Sequence, residues 1–134
     1  MHSIPVNEDL IIHGKVSIES GRDCMKKLLD GSPRPDAVFA VEDYTALGAL
    51  QAIKSAGLRI PEDLAVIGFA NEAFGQYLTP SLSTVNQQTV HMGEEAAKLF
   101  FEFSGKLEEY KSNPRQLVLE PVLICRESTL KNNF

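Results

Sequence analysis

The 134-residue sequence has no glycine loop of the kind that cradles phosphates. Neither GxGxxG nor GxxxxGK[ST] occurs, so nucleotide binding of that type has no support. Its two cysteines, Cys24 and Cys125, stand in neither CxxC nor zinc-ligand spacing. Each sits in an apolar pattern, which reads as two buried free thiols; a disulfide between them stays compatible with the sequence. No stretch approaches the ~18 consecutive apolar residues of a membrane span. The opening Met1-His2-Ser3-Ile4-Pro5 lacks the basic segment and apolar run of a secretory signal. An excess of positive charge is also missing. The net charge is −5, the wrong sign for a surface that tracks a phosphate backbone. The three histidines, His2, His13 and His91, show no pairing logic, although His13 could reach a cleft from a strand end. These absences lead to the expectation of a soluble, cytoplasmic, non-enzymatic protein. It should have no metal, no cofactor, no membrane contact and no direct nucleic-acid contact by this stretch.

What is present suits a compact fold. Hydrophobic residues make up 43% of the chain and charged residues 23%. Leu10-Ile11-Ile12 reads as a short strand. Ser20 with Asp23 resembles a capping box opening a helix whose apolar side is Cys24, Leu28 and Leu29. Gly31, Pro33 and Pro35 close that helix. The apolar run Asp36–Val41 predicts a strand buried on both faces. Asp43 is a good N-cap for a second helix carrying Ala46, Leu47, Ala49, Leu50 and Ile53, stopped at Gly57. Leu64–Phe69 is the next buried strand, with Gly68 read as a close-packing glycine. Leu82–Val85 is a short extended segment. A third helix from Thr89 to Gly105 bears Met92, Ala96, Leu99, Phe100 and Phe103 on one face. Leu117–Ile124 predicts a last strand, which Pro121 places at an edge or interrupts. Strands alternating with helices imply right-handed βαβ units and a doubly wound α/β fold with a parallel sheet.

Ligands in such sheets bind beyond the carboxyl ends of the strands. Two of those ends carry polar groups: Glu42-Asp43 after the second strand and Asn71-Glu72 after the third. Two readings compete for the first pair. It either lines a cleft, or Asp43 merely caps the helix while Glu42 favours its dipole.

Four segments in order resemble the LacI/GalR family of bacterial repressors. They are Pro35–Ala40 with Glu42-Asp43 and Ala46-Leu47-Gly48; Ala56–Leu64 with Val66–Phe69; Thr79–Val85; and Arg126–Thr129. Together they span about residues 20 to 130. The resemblance implies a periplasmic-binding-protein-like (type I) clamshell, of which this sequence is the C-terminal jaw. It divides the chain into a subdomain core at 1–85, a crossover and helix at 86–116 that packs on the N-terminal jaw, and a returning strand and tail at 117–134. The apolar helix face from Met92 to Phe103 would then need a second copy, or its own sheet, to cover it.

Carried over residue by residue, the resemblance assigns ligand contacts to Val16, Glu42, Ala70 and Asn71. The family usually has an aromatic at the position of Val16, Asn at that of Glu42 and Asp at that of Ala70, so the usual sugar pose is not expected; either a different sugar or derivative binds, or the domain has lost its small-molecule response. It also implies a homodimer through Leu47, Leu50, Gln51 and Lys54 with Phe74, Gln76, Tyr77 and Leu78. Phe74, Tyr77 and Leu78 could instead fold back on the chain's own core. The expected function is effector sensing and dimerisation in a DNA-binding regulator, with a sugar-like ligand and with DNA held by a separate helix-turn-helix domain. A periplasmic solute-binding protein and a small doubly wound enzyme are the competing readings.

Overall fold

The computed structural model describes residues 5–131. Helix α1 (Ile18–Asp30) starts one turn earlier than the spacing predicts, because Ser17, not Ser20, supplies the cap: its side chain accepts from the Ser20 N–H. The Ser20 hydroxyl accepts from the Lys15 N–H at 2.8 Å and so pins the incoming chain. Strand β1 (Ala37–Phe39) leads to helix α2 (Asp43–Ser55), then β2 (Ala65–Ile67) and β3 (Thr84–Asn86). Helix α3 (Thr89–Phe103), the short α4 (Leu107–Ser112) and β4 (Val122–Ile124) follow. Gly57, at φ 74°, stops α2 as its position suggests.

β1 and β2 pair in parallel, with Val38 opposite Val66. The parallel order continues through a bridge from Ile67 to Ser83 and through the Ala70 N–H donating to the Val85 carbonyl. β4 runs antiparallel to β3, Val85 facing Leu123. Parallel strands alternating with helices are therefore present, as the patterning implies.

The core lies between α1, α2 and this sheet. Met25 and Leu29 come from α1; Ala46, Ala49, Leu50 and Ile53 from α2; Leu64, Val66 and Leu82 from the sheet side. Met25, fully buried, joins Leu29 on the inward side of α1; Leu28 packs against the core as expected, while Cys24 is only half-buried. The two helices meet backbone to backbone. A Cβ on Gly21 would strike the Thr45 carbonyl, and one on Gly48 the Ile18 carbonyl.

Several local expectations are corrected. Leu10–Ile12 is not a strand; Glu8–Leu10 forms a single 3-10 turn and the chain to Lys15 is irregular. β1 is not buried on both faces: Val38 packs against the core on one face, while Ala37 and Phe39 point to the other and are exposed. The last strand is confined to three residues after Pro121. Cys125 is exposed and Cys24 half-buried, both as free thiols. α3 does not rotate back onto its own sheet. It has no buried residue, and Val90, Met92, Phe100 and Phe101 face outward.

Candidate functional site

The carboxyl ends of β1 and β2 are stitched into one rim. The Ala40 N–H donates to the Ile67 carbonyl at 2.9 Å, and the Asp43 N–H to the Phe69 carbonyl at 3.0 Å. Glu42, not Asp43, is the N-cap of α2: its Oε2 accepts from the N–H groups of Tyr44 (2.9 Å) and Thr45 (3.1 Å). That corrects the capping role read for Asp43 from the sequence.

Asp43 instead turns inward and is fully buried. Its Oδ2 accepts from the Glu72 N–H and its Oδ1 from the Thr84 hydroxyl, both at 2.7 Å. One carboxylate thus ties the start of α2 to the loop after β2 and to β3. Gly68 leaves the space this needs, since a Cβ there would run into Asp43 Oδ1.

The Ala70–Asn71 corner is held just as tightly. Ala70 has φ 113° and Asn71 φ 57°. Asn tolerates the left-handed region, but a side chain at φ 113° is an outlier, of a type that costs about 1–3 kcal/mol and gathers at binding sites. The Asn71 N–H donates to Thr84 Oγ1 at 3.1 Å, and Asn71 Oδ1 accepts from Arg126 Nη2 at 3.0 Å. Arg126 Nη1 donates to the Leu82 carbonyl at 2.6 Å.

Arg126, Glu127 and Ser128 all clasp the Ser81–Ser83 segment. Glu127 Oε2 accepts from the Ser81 N–H (2.8 Å) and hydroxyl (3.0 Å), which hold its carboxyl below the ordinary range. The Ser128 hydroxyl accepts from the Ser83 N–H at 2.8 Å and donates to the Val66 carbonyl at 2.6 Å. The segments Thr79–Val85 and Arg126–Thr129, met separately in the sequence, are therefore two halves of one contact. Their spacing of more than forty residues hid this, as it hid the part Arg126 plays at the corner.

The four assigned ligand residues line two hollows. One, of about 470 Å³, is bounded by Val16, Glu42 and Tyr44, with Ser17, Ile18 and Glu19. The other, of about 420 Å³, is bounded by Ala70, Asn71, Asn86 and Gln88 and by Thr89, Val90, His91 and Glu94 of α3. The structure brings Val16 to Glu42, and Ala70 to Asn71; Asp43 links the turn at Glu42 to the loop after Asn71. A further, mostly apolar hollow of about 410 Å³ lies along β1. His13 lines it, and so does Thr45, whose buried hydroxyl has no partner among the described residues.

The residues assigned to a dimer face divide. Leu50 leaves that face, because its side chain is 3% exposed inside the core. Gln51 accepts from Arg22 Nη2 at 2.6 Å, and the Lys54 ammonium donates to the Thr79 carbonyl. Leu78 packs on the core. Gln76 donates to the Ala73 carbonyl at 3.3 Å. Phe74 rests on Tyr44, ring centroids 4.8 Å apart. Leu47 is half-buried, and Tyr77 stands free at 80% exposure.

Parallel strands whose carboxyl ends carry an anchored polar rim define a ligand-binding module, and comparison with known proteins specifies it. Residues 1–129 match the family described as periplasmic binding protein-like domain, and the chain belongs to that family. Its similar relatives are regulators of the LacI family, not enzymes. It is 39% identical over 123 residues to the HTH-type transcriptional regulator CelR of Thermobifida fusca, covering 91% of this chain and 35% of that protein. It is 38% identical over 125 residues to the ribose operon repressor of Haemophilus influenzae, covering 93% and 37%. Among solved structures, the CelR–cellobiose complex superposes with a TM-score of 0.83 at 37% identity, covering 93% of this chain and 37% of that one. A LacI-family regulatory protein from Chloroflexus aggregans gives 0.82 at 35% identity, covering 93% and 44%. The chain is thus a LacI-family effector-binding domain segment, spanning about a third of the length of the curated relatives it matches. Among the described residues no helix is long and apolar enough to cross a membrane.

Proposed function

We propose that this chain is one jaw of an effector-sensing domain in a cytoplasmic LacI-type regulator, and that a sugar-like molecule binds at the rim formed by Val16, Glu42, Ala70 and Asn71. The observation that carries this reading is the buried Asp43 carboxylate, which joins the Glu42 turn to the loop after Asn71. A ligand touching either loop then bears on both. Effector binding would shift the balance between two arrangements of the jaws, which requires different affinities for the two. DNA contact would fall to another domain, because this stretch carries net negative charge. The relatives' names support a small polar effector: one was solved with cellobiose, another regulates a ribose operon. Residues 1–85 would form the jaw's core, 86–116 the crossover and its helix, and 117–134 the return.

The direct test uses the full-length protein that carries this sequence. A thermal-shift screen with cellobiose, ribose and related sugars should find one that raises Tm, by about 2.7 kcal/mol of stabilisation at a hundredfold excess over Kd. The same sugar should change operator retention in a gel-shift assay. A protein that binds no sugar, or whose operator affinity ignores the bound one, would end this reading. For the homodimer, Leu47, Gln51 and Lys54 with Phe74, Gln76 and Tyr77 form the face. Tyr77→Arg should lower the sedimentation coefficient from dimer to monomer while leaving the circular dichroism unchanged.

A further inference from the structure

Two asparagines beside the Ala70 corner have their amides oriented by partners that can only donate. Arg126 gives Nη2 to Asn71 Oδ1 at 3.0 Å, and a guanidinium offers no acceptor. The Asn71 NH2 must therefore turn away from Arg126. The Gln88 backbone N–H donates to Asn86 Oδ1 at 2.8 Å, which turns the Asn86 NH2 away in the same manner. Both residues line the hollow shared with Ala70 and Gln88. No protein acceptor takes either NH2 group among the described residues. Gln88 is oriented the opposite way: its Nε2 donates to the Glu120 carbonyl at 2.5 Å, which leaves Oε1 as an unused acceptor. The Glu94 carboxylate lies exposed on the same hollow. The corner thus presents two amide donors, and acceptors from Gln88 and Glu94.

We propose that the effector carries an N-acyl group, a secondary amide, that docks in this hollow. Its carbonyl oxygen accepts from the NH2 groups of Asn71 and Asn86. Its N–H donates to Gln88 Oε1 or to Glu94. The acyl methyl meets Ala70 and Val90, which also line the hollow. A hydroxyl in the same place offers its oxygen to two donors and its proton to one acceptor, as the amide does, but it has no acyl carbon to fill the apolar side at Ala70 and Val90. An anionic group is disfavoured by Glu94. The inference rests on the effector-sensing reading above and narrows it to one ligand class.

The test compares matched probes on the full-length protein by calorimetry: N-acetylglucosamine against glucose, and N,N′-diacetylchitobiose against cellobiose. The N-acyl member of at least one pair should bind about fourfold more tightly, the ratio supplied by burial of one methyl group. Asn71→Asp keeps an acceptor on Arg126 but replaces the NH2 with an oxygen, so it should abolish or reverse that preference. Asn86→Asp should weaken the preference independently. A Tm no lower than that of the parent shows that each variant is folded. If the hydroxyl member binds as tightly and Asn71→Asp is indifferent, the N-acyl assignment falls while effector sensing stands. If another sugar binds but none of these four does, the same conclusion holds. If no sugar binds and operator affinity never responds, both fall.

Discussion

Replacing Asp43 with alanine should destabilise the domain by about 4 kcal/mol. The carboxylate is fully buried and accepts two hydrogen bonds of 2.7 Å, from the Glu72 N–H and the Thr84 hydroxyl. Truncation leaves both donors without a partner. A buried donor stranded in this way costs about 1–3 kcal/mol, so two near the middle of that range give about 4 kcal/mol. Set against a total of about 5–15 kcal/mol for a native domain, the loss is large. Asp43→Asn should cost less, since one amide oxygen can still serve Glu72. Thr84→Val keeps the shape and removes the hydroxyl. Its effect should overlap with that of Asp43→Ala, because the two share a bond, giving a coupling of about 0.5–3 kcal/mol in a double-mutant cycle. The sequence has no tryptophan, so urea unfolding is best followed by far-ultraviolet circular dichroism. A cost below about 1 kcal/mol for Asp43→Ala, or strict additivity with Thr84→Val, would refute the reasoning.

Gly48→Ala tests the helix contact. Propensity alone favours alanine by about 1 kcal/mol, but a Cβ there would strike the Ile18 carbonyl. Net destabilisation of about 1–3 kcal/mol is expected from the forced separation of α1 and α2, and a raised Tm would contradict the packing. Ser128→Ala removes the acceptor for the Ser83 N–H and the donor to the Val66 carbonyl. Loss of about 2–3 kcal/mol is expected, read by the same urea titration. Asp63 is held at about 2, below its ordinary 3.8, first by the Arg59 side chain and then by the Arg59 N–H. A depressed carboxyl stabilises fully above the unfolded value, so this contribution should fade as pH drops from about 4 to about 2. Asp63→Asn should flatten the acid limb of the stability curve in that window, and an unchanged limb would argue against the pair.

The chain's own residue order was enough to reveal alternating strands and helices, the stops at Gly31 and Gly57, and the polar groups at two strand ends. These follow from short-range chemistry: helical or strand periodicity, breakers and the handedness of βαβ units. What lay beyond reach was decided by contacts across long separations. Whether Glu42 or Asp43 caps α2 depends on Gly68, whose bare face admits the Asp43 carboxylate. Whether Leu50 faces a partner or the core depends on which side of α2 the sheet covers, and periodicity locates a face without naming its neighbour. The orientation of the Asn71 amide depends on Arg126, 55 residues further along. In each case a residue's neighbours in the chain limit what it can do, and the groups that fold against it select which of those things it does.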